Sequence, residues 1–184
     1  MLHRLRLPLF FLLLLVAGCR AGGPGTPART VADFFSKYEG RPGFKGTEWS
    51  AGLLERLTLV RAAKLLGGSD LTNAITGIRA ARVISFAPTT AGARVLAAQG
   101  LRDEAAGILA GQKYAPLGGG TALGASSYQV SVRGSGDQVS EFAALGALPD
   151  EANSFVLVSV QGNFTQAQVA ALAKYLPQLV TATR

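Results

Sequence analysis

Imidazole and thiol chemistry rest on two side chains in this sequence, His3 and Cys19, and each type occurs once. A Ser-His-Asp triad, a Cys-His pair and a Cys/His zinc site all need more than the chain keeps once a leader containing His3 is removed. No serine is followed three residues later by lysine, so the Ser-x-x-Lys arrangement is missing too. Asp, Glu, Lys, Tyr, Ser and Thr remain. The adjacent carboxylates are Asp103-Glu104 and Asp150-Glu151. The first pair falls in the first turn of an expected helix, where negative charge suits the dipole. The second follows Pro149 and reads as a turn. Neither has further carboxylates spaced for calcium or acid–base work, and both pairs are expected at the solvated surface. Gly118, Gly120 and Gly124 spell G-x-G-x-x-x-G. A dinucleotide loop delivers such glycines to a helix N-terminus, but a strand pattern follows here, so the segment reads as a Gly-rich loop. No catalytic, cofactor-binding or metal-ligating residue is expected, and the domain should fold without metal or cofactor.

The start of the chain is an address. His3, Arg4 and Arg6 form a basic segment, Leu7 to Val16 is almost wholly apolar, and Ala17-Gly18-Cys19 follows. That apolar run is about half the roughly 20 residues a spanning helix needs. The order is that of a secretory signal peptide. Leu15-Val16-Ala17-Gly18-Cys19 resembles the bacterial lipobox, which implies removal of residues 1–18 and acylation of Cys19. Loss of Arg4 and Arg6 lowers the formal charge from +7 to +5. One acyl chain binds membranes marginally, whereas the two or three that the resemblance implies hold firmly. Arg20 rather than Asp after the cysteine suits outer-membrane delivery in a bacterium with two membranes.

Residues 19–29 form the lipidated cysteine and a Gly/Pro-rich tether, and residues 30–184 a single domain. In a domain of about 150 residues a real core forms without disulfide staples. Thr30 can cap a short helix with Val31, Phe34, Phe35 and Tyr38 on one side. Phe44 to Trp49 alternates as a strand, and Leu53, Leu54, Leu57, Val60 and Leu65 mark one helical face. A short helix is expected from Ser69 or Asp70. Ala80 to Phe86 reads as a buried strand ended by Pro88. From Thr89 or Thr90 a helical region runs to about Gln112, broken at Gly100. Tyr128, Val130 and Val132 alternate with polar residues as a strand. Gly134-Ser135-Gly136-Asp137 is a hairpin signal, Val139 to Leu145 the return strand, and Phe155 to Val160 an apolar strand. Thr165 and Gln168 make a capping box, with Phe164 and Val169 as its staple, ahead of a final helix bearing Leu172 and Leu176. Thr165 also completes a glycosylation sequon with Asn163, but the cap accounts for it. The order β-α-β-α-β-β-β-α argues an α+β fold: helices packed on a mainly antiparallel sheet, with a C-terminal three-strand meander and final helix.

Several stretches carry a family resemblance: Asp33-Phe34-Phe35-Ser36-Lys37-Tyr38, Thr47-Glu48-Trp49-Ser50, Ile78 to Phe86, Tyr128 to Val132 and Phe155 to Phe164. Over the whole mature chain the sequence resembles the domain-of-unknown-function 4252 family of bacterial lipoproteins. These are patterns of apolar positions, not a catalytic signature. The resemblance implies no activity and carries over no functional residue except the lipobox cysteine, Cys19.

The expected function is therefore a lipid-anchored, non-catalytic interaction or regulatory module on the periplasmic face of an envelope membrane. The alternative is a tethered binder of a small apolar or envelope ligand, with Trp49 and Tyr38 as lining candidates if they are not core residues. The expected partners are the membrane, through acyl chains on Cys19, and an envelope protein. Nucleic acid is not expected, because the positive residues after the tether are scattered singly, with Arg79 and Arg82 among the closest.

Overall fold

The computed structural model describes residues 26–50, 68–120, 128–148, 151–177 and 180. The first helix, α1 (Val31–Tyr38), buries Val31, Phe34, Phe35 and Tyr38, the one-sided spacing read from the sequence. Thr30 caps it, and Asp33 returns the bond to the Thr30 amide, a reciprocal pair that satisfies two otherwise orphaned donors. Next come β1 (Phe44–Ser50), α2 (Gly68–Gly77), β2 (Ile78–Phe86), α3 (Ala91–Ala97) and α4 (Leu101–Gly111). Gly100 separates α3 from α4 with φ +74°, the left-handed region that favours glycine. A two-residue strand β3 (Ala115–Pro116) leads into a 3-10 turn, Leu117–Gly120. Then follow β4 (Tyr128–Ser135), β5 (Gln138–Gly146), β6 (Phe155–Thr165) and α5 (Gln166–Ala173).

The strands form one six-stranded sheet in the order β1-β2-β6-β5-β4-β3. Every neighbouring pair is antiparallel. The fold is thus α+β, and β4, β5 and β6 are the C-terminal meander closed by the final helix. Helices cover both faces of the sheet. On one face α2 and α5 pack around Val156, Val158, Phe142 and Phe164. On the other, α1, α3 and α4 pack around Phe155, Leu157, Ala143 and Leu145. The second core is aromatic: Tyr38 stacks on Phe44 at 4.9 Å, Phe44 meets Phe86 at 4.6 Å, and Phe86 lies 5.6 Å from Phe155. Such contacts contribute about 0.5–1.5 kcal/mol each beyond area burial.

Two strands differ from the sequence reading. β6 continues past Val160 to Thr165, and its last part alternates: Gly162 and Phe164 are buried while Gln161 and Asn163 are exposed. β3, two residues long, is too short to show a period. The expected helix after Thr30 opens the order as α1, and the expected break at Gly100 separates α3 from α4. The helix expected over Leu53 to Leu65 lies outside the described residues, and Gly68 already belongs to α2. No helix among the described residues is long and apolar enough to cross a membrane.

The last helix is fixed by its cap and by its buried face. The Gln168 amide donates to Thr165 Oγ1 at 3.2 Å, and the Thr165 amide donates to Gln168 Oε1 at 2.8 Å. Leu172 is buried. Thr165→Ala should therefore lower stability by roughly 0.5–2 kcal/mol. Leu172→Ala should lower it by roughly 2–5 kcal/mol. Urea midpoints of the two variants check this, and unchanged midpoints would show that the helix does not pack.

Candidate functional site

Two polar clusters lie on the side of the sheet that carries α1, α3 and α4. The first joins α1 to α4 through Glu104. Its Oε2 accepts from the Tyr38 hydroxyl at 2.6 Å. Its Oε1 accepts from Lys37 Nζ at 3.0 Å and from the Ala28 backbone amide at 2.7 Å. Lys37 Nζ also donates to the Thr26 carbonyl at 2.7 Å and sits 4.8 Å from the centre of the Tyr38 ring. The Lys37 and Glu104 side chains are only 11% and 17% exposed, so solvent screens this pair weakly. Burial alone would raise the Glu104 carboxyl, but hydrogen bonds from Tyr38, the Ala28 amide and Lys37 outweigh it and hold the group below its ordinary range. Burial likewise works against the Lys37 ammonium, yet its bonds to Tyr38 and Glu104 hold it above its ordinary value. Burial and the bond to Glu104 push the Tyr38 phenol up.

The second cluster depends on a β-bulge. Arg133 pairs with Glu141 and Gly134 with Val139, which leaves Ser140 as an extra residue between them. Against β6 the register shifts between the same two positions. In a regular strand Val139 and Glu141 would share a face. The extra residue turns Glu141 to the α1–α4 side while Val139 stays in the α2–α5 core. Position 134 must be glycine, because a Cβ there would run into the Gln138 carbonyl. Glu141 is 4% exposed, and Arg133 Nη2 donates to its Oε2. The Ser159 hydroxyl donates to Oε1 at 2.9 Å, and the Ser140 hydroxyl closes the bulge on the Arg133 carbonyl at 3.0 Å. The Arg133 guanidinium lies 5.3 Å from the centre of the Tyr114 ring. Tyr114 Oη is buried and makes no hydrogen bond of good geometry among the described residues. Its burial and the nearby Glu141 carboxylate push the phenol far above the tyrosine range.

The strip continues across the strands, because Ser159 pairs with Arg82 and Arg82 with Glu48. Arg82 donates to Glu48 Oε1 through Nε at 2.9 Å and Nη2 at 2.8 Å. This outer pair is more exposed, at 30% and 58%. Each Glu141 oxygen accepts from one donor, a cation on one side and a hydroxyl on the other, which suits a buried charge.

Cys19, Gly124 and Asp150 lie outside the described residues. Asp103 and Glu151 are exposed, as read from the sequence, but Glu104 is not a solvated surface residue. The fold buries it because α4 presents it to Lys37 and Tyr38 of α1, a contact between distant segments that no local spacing announces. Tyr38 belongs to the aromatic core, and Trp49 packs partly buried against the α2–α5 core. Tyr128 opens a strand after the glycines, so the helix that a dinucleotide loop needs at that point is replaced by β4. Spacing and composition do not single out Glu141, Ser159 or Tyr114. The available signal was a lone carboxylate beside the apolar run Phe142 to Leu145. Among the described residues no group of three or more metal-ligating side chains converges.

An antiparallel sheet with helices on both faces and no converging ligand set defines an α+β protein built around its sheet. Residues 50–172 match the family model Domain of unknown function (DUF4252), and the chain belongs to that family. The match begins after the Asp33–Tyr38 stretch, so α1 and most of β1 lie before the matched span. No curated protein and no solved structure matches the chain significantly.

The shifts at Glu104 and Lys37 set a pH window. A carboxyl held below its ordinary 4.5 contributes stability above that pH, and the contribution is lost as pH falls through the lowered folded value. An ammonium held above 10.5 contributes below that pH and loses the contribution as pH rises through the raised value. Glu104→Gln should therefore cost roughly 1–3 kcal/mol near neutrality. The gap from wild type should narrow in acid below pH 4.5 and in base above 10.5. Denaturant unfolding of both proteins near neutrality, below pH 4.5 and above pH 10.5 checks it, and a gap that stays the same outside these limits would contradict it.

Proposed function

We propose that this chain is a lipid-anchored protein of the bacterial envelope, held to a membrane by acyl chains on Cys19, and that its domain is an interaction or regulatory module facing the periplasm. The observation that carries the reading is the order of basic segment, apolar run and Ala17-Gly18-Cys19 in the first 19 residues. Anchoring raises the effective concentration of a binding module toward other envelope proteins, whereas an enzyme for diffusible substrates gains little from it. Two features of the domain support a module over an enzyme. The carboxylates Glu104 and Glu141 are engaged by internal partners. β1 stands at the end of the sheet, and its side chains after Phe44 are exposed or half-buried. Such an edge is where a partner strand can add to a sheet.

Expression in a bacterium with labelled fatty acid, followed by mass spectrometry, tests the anchor. Wild type should lack residues 1–18 and carry acyl chains on Cys19, and Cys19→Ser should accumulate as unacylated precursor. A processed protein with an unmodified Cys19 thiol would refute the reading. Crosslinking in intact cells should join the wild-type domain to an envelope protein, and that product should disappear with Cys19→Ser.

A further inference from the structure

By composition the Gly/Pro-rich segment reaches Arg29, but its last residues are already tied to the domain. The Thr26 carbonyl accepts from Lys37 Nζ, the Ala28 amide donates to Glu104 Oε1, and the Val31 amide donates to Gln112 Oε1. Ala28 also packs against the aromatic core. We infer that Glu104 and Lys37 form a strap on the tether that fixes its exit beside α1 and α4, so that this helical layer, rather than the α2–α5 layer, faces the lipid surface. The inference rests on the anchoring of Cys19 proposed above.

Chain length makes the exit point decisive. From Cys19 to Thr26 the chain spans at most about 25 Å when fully extended, at roughly 3.3–3.6 Å per residue. Without the strap, the tether would pivot from Thr30 and its reach would grow to about 40 Å fully extended. A tether this short holds the layer it leaves from closest to the membrane. The weak exposure of the strap is why it should persist in salt, where exposed ion pairs fade. Charge does not provide the orientation. Arg29 and Arg102 are exposed beside the exit, but Asp33 and Asp103 are exposed there as well.

Two readouts on the full chain test the strap. Hydrogen exchange by NMR reads the Ala28 amide directly, whether or not Cys19 is acylated. It should be protected in wild type and exchange at least tenfold faster in Glu104→Gln, while the Leu157 amide in β6 stays protected. A wild-type Ala28 amide that exchanges like an unstructured one would overturn the strap. For orientation, the acylated protein is placed in phosphatidylethanolamine and phosphatidylglycerol vesicles carrying a headgroup quencher, with a fluorophore at Ala106→Cys of α4 or Ala167→Cys of α5. Quenching should be stronger at 106 than at 167 and should survive added salt. The difference should shrink in the doubly substituted Glu104→Gln, Lys37→Met protein. Equal quenching at the two positions in an acylated chain would overturn the orientation alone. A chain without acyl groups on Cys19 would overturn the anchor and the orientation together, leaving the exchange result to decide the strap.

Discussion

β6 has to be covered on both faces. Phe155 to Val160 is buried without alternation, and side chains of a strand point to opposite faces in turn. A single helical layer would leave Phe155 and Leu157, or Val156 and Val158, in water. The architecture follows from that demand. β6 takes an interior place between β2 and β5, and helices from both halves of the chain supply the two covers. The α2–α5 cover comes from segments immediately before β2 and after β6. The α1, α3 and α4 cover comes wholly from residues before the C-terminal meander. β6 thus joins parts of the chain that are remote in sequence, and neither core is complete until it is in place.

The two covers are unequal in extent. On the α2–α5 side the apolar face of β6 continues through Gly162 and Phe164, whereas on the other side Ser159 is followed by exposed Gln161 and Asn163. The border of the smaller cover is where the polar strip runs, and the bulge at Ser140 places a carboxylate there. A one-residue register slip between β5 and its neighbours would turn Glu141 to the α2–α5 side, beside Phe164, among groups that cannot pair with it. The ion pair with Arg133 and the bond from Ser159 therefore act against misalignment of the central strands. With a donor on each oxygen and 4% exposure, Glu141 is suited to that role.

Much of this fold was legible because its signals are local. The Thr30 and Thr165 caps, the break at Gly100, the turn at Gly136 and the alternation of β4 each depend on a few neighbouring residues. The α+β class followed from their order. What was hidden is relational. The lower half of β6 alternates and so resembles an ordinary surface strand, and its continuity with Phe155 is visible only from its pairing with Gln138 and Val139. Glu104 carries a helix-start signature that fits an exposed acid equally well, and only the position of α1 decides its burial. Glu141 is misplaced by one face if β5 is read as regular, because a bulge leaves no mark in composition beyond the adjoining glycine, Gly134.

The span matched by the family, 50–172, leaves out side chains that its own core packs against in this chain. It contains β2, β5 and β6 but lacks α1 and Phe44, whose rings lie against Phe86 and Phe155. Without them one face of the β2–β6 pair would expose aromatic surface where the described residues now bury it. It also contains Glu104 without Lys37, Tyr38 or the Ala28 amide, its donors among the described residues, which would leave a partly buried carboxylate unpaired. α1 and the start of β1 are thus structural for the matched span. Because α1 must sit on the sheet to cover Phe155, and because Lys37 and Tyr38 come with it, the chain arriving from Cys19 is brought to Glu104 by the same packing that closes the core.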